Sequence, residues 1–600
     1  MESMHHNGVM VPPRYEPQGL SVKIKGEIHK LTPDEEERVV AWAKKIGTPY
    51  VEDPVFAENF HKDLSELMGI TVLPGDIDYT PIYELVVAER ERRKNLSKEE
   101  KKRLRDERKE IREANKEKYG WAIIDGERCE LGNYMVEPSS IFMGRGQHPF
   151  RGKWKEGPRY EDVELNLSPD AEVPPGNWKD VVWDPTSIWI ARWRDKLSGK
   201  MKYVWPHDSS PILQRKEIEK FNKAVELKEN LPRVQRFIEE NLDSEELKRR
   251  KTATVCYLID HLKFRVGDEK DEDEEADTVG ASSLRAEHIC FNEDGTVTFD
   301  FLGKDSVRLL LTAELDERVV RNLREFMAKS DGNTLFDEVN SSVVSEFLDE
   351  VMEGITAKVF RTCYATDAVK SKLKEITVDP EAPEYVKKHY ATIANLEAAV
   401  TCNHRRTIPA SWERSLERQK ERLVERRKRA RENIRKYKQR IHDTNMRYEE
   451  RIAKYEAKLQ ADKEKLEEYK KDLALREKEG RATKGVQNRI ASKKRVISNG
   501  RIRIRETKVK HRDAITKLKE RMENRKQKDK ALIEKTELQI EAKELTKDFN
   551  LGTSLKSYVD PRVYLEWGKK VDYDWRNYYS KTLVKKFSWI DPEQPEPEAQ

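Results

Sequence analysis

Cysteine is scarce in this chain and scattered. Cys129, Cys256, Cys290, Cys363 and Cys402 are odd in number and form no CxxC pair. That argues against a disulfide framework and a zinc ribbon and fits a reducing interior. Long apolar runs are missing too. No stretch approaches the roughly eighteen residues of a membrane span. The N-terminal MESMHHNGVMVPPRYEP has no apolar core of signal-peptide length. The expectation is an intracellular, soluble protein with no membrane partner. Neither a P-loop nor an acidic cluster with metal-site spacing is present. Hydrophobic residues make up 36% of the chain against 38% charged, too polar for one compact globule of 600 residues. Such a balance suits several globular parts joined to long solvated helices.

What is there is charge, unevenly placed. The net charge is only +5, but Ser411–Asn550 carries 45 Lys/Arg against 26 Asp/Glu, so this arm is +19 and the remainder −14. A basic arm on a near-neutral or acidic body points to a polyanionic partner, nucleic acid first. A solvated, lysine-rich helical hairpin accounts for the charge alone nearly as well.

Up to Val87 the pattern mixes strand-like runs such as Leu20–Ile28 with amphipathic helices such as Pro33–Lys45, N-capped by Thr32. Ala88–Tyr119 is charged and helical, broken near Asn95–Leu96, with Ser97 and Glu100 spaced as a capping box to restart it. Trp121–Tyr203 reads as β-rich, with apolar runs at Trp121–Ile124, Ser187–Ala191 and Tyr203–Trp205 between Pro/Gly/Asp turns. Ile141–Trp154 mixes glycine, arginine and aromatics without a period, a weak nucleic-acid signal. Ile212–Arg406 is the most globular part, with helical patterns at Lys216–Lys228, Leu231–Leu242, Ala253–Phe264, Glu317–Ser330, Val343–Met352 and Ala382–Thr401. A hairpin interrupts them, Thr296–Leu302 and Ser306–Leu311 around Gly303–Asp305, with Lys304 at its tip.

Trp412–Leu545 is predicted to be two long helices joined near Gly480–Gly485, with no proline in either arm. Ile434, Ile441, Tyr448, Ile452, Tyr455, Leu459, Leu466, Tyr469 and Leu473 fall at sevens, or fours and threes. That is the seam of an antiparallel coiled coil, continued by Ile490, Ile497, Ile504, Ile515, Met522, Leu538 and Leu545 on the second arm. Each arm reaches on the order of 80 Å or more at about 1.5 Å per residue. Beyond it comes NLGTSLKSYVDPR, Asn550–Arg562, with Tyr558 near its middle. Read alone, this is a turn before a terminal helix with a packing tyrosine. So remote a tyrosine otherwise needs a site built elsewhere in the chain to which it is delivered.

Ionisable residues at element ends supply that site. Arg265 closes YLIDHLKFR, Lys304 tips the hairpin, Arg361 follows AKVF and His404 stands in TCNHRR. Each has an ordinary structural reading, such as a helix-end charge complementing the dipole. Cys402 and His404 have no second pair of ligands in reach to make a metal site. Taken in order with Tyr558, however, they resemble the eukaryotic-type (type IB) DNA topoisomerase I family. The resemblance rests on RVGDEKDEDEEADTVGASSLRAEHI (265–289), FDFLGKDSVR (299–308), VMEGITAKVFRT (351–362), CNH (402–404) and LGTSLKSYVDPR (551–562). VPPRYEP, GRGQHP and the terminal KKFSWI extend it over nearly the whole chain, most weakly in the coiled coil.

The resemblance implies an α+β multidomain clamp encircling double-stranded DNA. Its parts would be a mixed β/α cap (1–210), a mostly helical catalytic core of the tyrosine-recombinase type (211–408), a coiled-coil linker (409–548) and a small helical C-terminal domain (549–600). Tyr558 would attack a phosphodiester to form a 3′-phosphotyrosine, with Arg265, Arg361 and His404 donating to the non-bridging oxygens and Lys304 protonating the leaving 5′-oxygen. Neither ATP, metal nor any other cofactor is implied, and the acidic 268–277 loop is not a cation site. Arg145, Lys202, Tyr203, Lys220, Asp268, Lys270, Thr278, Asp305, Thr356, Lys358, Asn403 and Thr553 are the implied DNA contacts.

Three departures from the family pattern stand out. Ser557 precedes the tyrosine where nuclear members usually have Asn, and Asp268 replaces another usual Asn. With Asp305, position 557 lines the pocket where camptothecin-type inhibitors stack, so reduced sensitivity is expected. The linker is longer than in nuclear relatives, and the chain starts almost at the core without a basic targeting tail. That leans towards an archaeal member acting as a monomer on chromosomal DNA in the cytoplasm, a truncated nuclear protein being the other reading. The rivals are a tyrosine recombinase, which would need paired recognition sites, and a non-enzymatic coiled-coil DNA-binding protein, which leaves the order of the five residues unexplained.

Overall fold

In the computed structural model, residues 1–144, 148–267, 278–330 and 334–591 are described, with only the backbone of Asp305. They fall into two compact units. One comprises Met1–Glu381, Ile393–Thr407 and Asp548–Gln600, the other Ala382–Thr392 and Ile408–Lys547.

Residues 1–204 of the first unit hold two separate cores. One packs Trp42, Phe56, Phe60 and Leu64 of helices Pro33–Ala43 and Pro54–Met68 against Val22 and Ile24. Thr32 and Glu35 form the reciprocal capping box that starts the first helix. The run Leu20–Ile28, expected as one strand, is a hairpin of Ser21–Ile24 and Glu27–Lys30. Lys25 and Gly26 adopt φ 50 and 91 there, the left-handed pair of a two-residue turn, which a twisted hairpin favours. The second core lies under Met4–His6, Trp121–Ile124 and Glu127–Glu130 and under a four-strand sheet ending in Ala191–Arg194 and Met201–Val204. These last two strands are displaced a few residues from the apolar runs at Ser187–Ala191 and Tyr203–Trp205. Lys98–Tyr119 starts at the Ser97–Glu100 capping box and buries none of its residues.

The third core carries the site. Helices Pro211–Glu240, Leu247–Leu262 and Ala357–Glu375 pack together, and the sheet Ile289–Phe291, Val297–Gly303, Val307–Ala313 adds Val297, Phe299 and Phe301. The two helices expected at 216–228 and 231–242 are one, running unbroken through Pro232. A mid-helix proline costs about 3 kcal/mol. Here Phe221, Ala224 and Leu227 before it and Val234 and Ile238 after it are buried on one continuous face, and that burial offsets the loss. The helix bearing Arg361, Ala357–Glu375, was not among the expected helical patterns.

In the second unit, Trp412–Lys478 and Lys484–Leu545 form the expected helical hairpin. Lys420 pairs with Glu544, Arg427 with Glu537, Lys508 with Glu456 and Lys493 with Asp462, so the numbering rises on one arm as it falls on the other. The seam residues are buried or half-buried except Leu545, which is exposed because the helix ends there. The seam also contains polar layers. Asn433 donates to Asp529, and His511 stacks on Tyr448 while meeting Asn445. Such layers fix register at a cost in stability.

The first unit explains why so long an arm does not displace the tyrosine. Its chain breaks at Thr407 and resumes at Asp548, and the two ends are paired: Arg406 N donates to Asp548 O at 2.8 Å, Asn550 N to His404 O at 2.6 Å, and Arg405 bridges Asp548. In this unit the 140-residue arm is an insertion between adjacent segments.

Candidate active site

Short helix Leu551–Ser557 delivers Tyr558 as its C-terminal cap, with the Tyr558 amide bonded to Ser554 O. The ring is 5% exposed, and its hydroxyl accepts from Arg265 Nη1 at 3.0 Å. Arg361 lies one turn into its helix, 4% exposed, with its guanidinium 5.1 Å from the tyrosine ring centre. Burial raises the Tyr558 hydroxyl pKa, but the charges of Arg361 and Arg265 outweigh it and set it below the ordinary phenol value.

Two backbone carbonyls aim Arg361. Its terminal nitrogens donate to Lys263 O and to Cys402 O, the latter at 2.7 Å. Both carbonyls sit at left-handed kinks, Lys263 with φ 60 ending helix Leu247–Leu262 and Asn403 with φ 50 following Cys402. Asparagine tolerates that conformation; lysine takes it at a cost of about 1 kcal/mol. Cys402 Sγ faces the Arg361 carbonyl at 3.5 Å. Arg265 is held by backbone pairing, Ala281 N to Arg265 O and Ser282 N to Val266 O, both at 2.8 Å. The pairing needs Gly267 and Gly280 in contact. A Cβ at Gly280 would lie 2.5 Å from the Gly267 Cα, too close to be relieved without moving backbone.

His404 is 3% exposed, its ring 4.8 Å from that of Tyr558. Nδ1 meets the buried Ser554 hydroxyl at 2.8 Å, while buried Nε2 has no hydrogen-bond partner among the described residues. With Ser554 donating, the proton sits on Nε2, a neutral donor awaiting an acceptor. Burial, then Arg361 and Arg265, draws the imidazole pKa down to about 2. Cleavage is therefore expected to show no inflection near 6.5, and single-turnover rates from about pH 5 to about pH 8 check this. The unfolded imidazole binds a proton below 6.5 and the folded one only near 2, so its contribution to stability is full above 6.5 and is lost as pH falls between them. His404→Gln removes that slope from denaturant melts.

Lys304 stands in the turn Lys304–Ser306, exposed. It lines, with Arg265, Arg361, His404 and Tyr558, a cavity of about 470 Å³. All five residues singled out in the sequence share this one cavity. Of the implied DNA contacts, Asn403 and Thr553 line it as well. Thr356, N-cap of the Arg361 helix, and Lys358 line a neighbouring depression with Ser341, Ser342 and Ser345. Lys202 and Tyr203 lie on strand Met201–Val204, with Tyr203 exposed beside Trp205. Thr278 is half-buried. Lys220 does not line the cavity but reaches its wall from behind: its side chain is 12% exposed and bonded to Glu217 and to Ser557 O. Arg145, Asp268, Lys270 and the side chain of Asp305 lie outside the described residues. Sequence reasoning missed Ser554, although its position four residues before Tyr558 places both on one helical face, and it missed the two carbonyls, which no residue type reveals.

A phenol acidified by two guanidiniums, a neutral imidazole lining the same cavity, and an exposed lysine beside them make a site suited to an oxyanion approached by a tyrosine oxygen. The profile of the eukaryotic DNA topoisomerase I DNA-binding fragment matches residues 1–206, that of the catalytic core 209–441, and that of the C-terminal topoisomerase domain 530–596. DNA topoisomerase 1 beta of Arabidopsis thaliana is 33% identical over 605 residues, covering 99% of this chain and 59% of its own length. DNA topoisomerase 1 of Homo sapiens is 32% identical over 604 residues, 98% of this chain and 70% of its own. That of Candidozyma auris is 33% identical over 626, with 98% and 81% covered. The chain belongs to the eukaryotic-type DNA topoisomerase I family, enzymes of the type IB isomerase class whose macromolecular partner is DNA.

Proposed function

We propose that the chain relaxes positive and negative DNA supercoils by nicking one strand, letting the duplex rotate and resealing it. Tyr558 Oη attacks the phosphorus and the 5′-oxygen departs, leaving a 3′-phosphotyrosine and a 5′-hydroxyl. Arg265, Arg361 and His404 Nε2 donate to the non-bridging oxygens as negative charge grows in the transition state. Lys304 gives its proton to the departing oxygen, and the reverse attack reseals the strand. One phosphoester replaces another, so no nucleotide need be hydrolysed. The observation that carries this reading is the Tyr558 hydroxyl held by Arg265 in a cavity shared with Arg361, His404 and Lys304.

In this reading residues 1–210 form a cap, 211–408 the catalytic core, 409–548 a linker acting on the rotating duplex and 549–600 the domain presenting the nucleophile. Cap and core close as a clamp around DNA, and one chain suffices. Asn403, Thr553, Thr356, Lys358, Thr278, Lys202 and Tyr203 contact the strand, and such phosphate contacts weaken with salt. The location is on chromosomal DNA inside the cell, in the nucleoid if the chain is archaeal and in the nucleus otherwise.

Relaxation of plasmid supercoiled in either sense, with EDTA and without ATP, tests the reading. Stepwise relaxation of both, with the covalent DNA adduct mapping to the Tyr558 peptide, is expected. No relaxation, or an adduct on another residue, overturns it. Ser557 lines the cavity beside Tyr558. Camptothecin is expected to trap cleavage complexes weakly here and about tenfold better in Ser557→Asn, by dose–response on a nicked-product gel, since the longer amide reaches a stacked ligand that serine does not.

A further inference from the structure

Three successive carbonyls around the nucleophile are each held by a side chain from a different helix. Lys586 Nζ, from Lys581–Lys586, donates to Lys556 O at 3.1 Å. Lys220 Nζ, from Pro211–Glu240, donates to Ser557 O at 3.1 Å. Thr366 Oγ1, from Ala357–Glu375, donates to Tyr558 O at 3.3 Å and accepts from Asp560 N at 3.1 Å. Glu217 joins the two lysines, 2.7 Å from Lys220 and 3.5 Å from Lys586, and Asp208 lies 3.5 Å from Lys586. Helix Leu551–Ser557 ends here, so the carbonyls of Lys556 and Ser557 lack intrahelical partners and attract cations.

We propose that Lys220, Lys586 and Thr366 are positioning residues that clamp the backbone on both sides of Tyr558 and so set the line along which its hydroxyl attacks. The inference rests on Tyr558 being the nucleophile. A side chain on a free helix end swings with its backbone, and a displacement of about 1 Å can cost roughly a hundredfold in rate. Three tethers on successive residues, two of them from helices of the core that also carries Arg361 and one from the terminal helix Lys581–Lys586, remove that freedom. The Lys220 side chain is only 12% exposed, and burial, opposed by Glu217 and aided by Lys586 and Lys358, draws its pKa down to about 8.

The test uses the full chain and a duplex oligonucleotide whose cleaved strand cannot reseal, at saturating protein in single turnover. Lys220→Met and Lys586→Met are expected to slow cleavage about thirtyfold to a hundredfold, and resealing of a separately trapped adduct alike, with duplex Kd within about threefold. Thr366→Val, nearly the same shape, is expected to lose about threefold to tenfold in rate. A substrate with sulfur at the 5′-bridging position, whose thiolate leaves without a proton, restores Lys304→Ala but leaves Lys220→Met slow. Unchanged saturating rates with a salt-dependent loss of affinity would make Lys220 a phosphate contact and overturn the proposal. Rescue of Lys220→Met by the sulfur substrate would make it a proton donor and overturn it equally. Rates are taken below each variant's Tm, so if the lysine variants unfold, Thr366→Val at normal speed overturns it too. A wild-type chain that forms no adduct on Tyr558 fails at the nucleophile, which separates that outcome from failure of the tethers.

Discussion

Tyr558→Phe is expected to abolish relaxation in both directions, by about 10⁵-fold or more, and to leave duplex binding intact. The phenol oxygen is the only atom removed. It is the proposed attacking atom, and Arg265 and Arg361 lower its pKa. A change of one buried hydroxyl that accepts a 3.0 Å bond from Arg265 costs about 1 kcal/mol, so the chain is expected to stay folded. Plasmid relaxation and denaturing gels for the covalent adduct read the chemistry, and filter binding reads the affinity. Residual relaxation above that limit, or an adduct formed by the phenylalanine variant, would place the nucleophile elsewhere.

Arg361→Lys is expected to be nearly as severe, about 10³-fold in cleavage at saturating DNA. A guanidinium forks to two carbonyls, Lys263 O and Cys402 O, while facing the tyrosine ring. An ammonium is a single point of charge on a more flexible stem and cannot hold both carbonyls and the phosphate at once. One buried carbonyl loses its donor, so about 1–3 kcal/mol of stability goes as well, measurable by urea melts. Charge placement adds a second signature. Arg361 is the strongest of the influences that lower the Tyr558 pKa, so displacing it raises that pKa. The rising limb of the pH–rate profile then moves to higher pH. A profile that stays in place while the rate falls would show that Arg361 acts on the phosphate without acidifying the phenol.

Much of this was legible in the residues. The coiled coil followed from apolar positions at sevens and from unbroken helix formers, because helical period is a local property. The N-cap at Thr32, the capping box at Ser97 and the hairpin presenting Lys304 are equally local. The five site residues were legible through motif resemblance, and the fold brings them to one cavity. Local reading failed where packing overrode it. Residues 216–242 read as two helices, yet burial on both sides of Pro232 carries a single helix through. Leu20–Ile28 reads as one strand, yet Lys25–Gly26 turns it back on itself.

By itself the sequence determined which groups are candidates to react and much of the secondary structure around them, since side-chain chemistry and helical period are written residue by residue. Only the tertiary structure decided how those groups are aimed. Ser554 and His404 meet across 150 residues of chain. The carbonyls of Lys263 and Cys402 orient Arg361, and those of Lys556, Ser557 and Tyr558 are tied down by Lys586, Lys220 and Thr366. A backbone carbonyl is the same in every residue, and a lysine reads alike whether it faces solvent or a buried carboxylate. Their roles exist only once separate helices have packed.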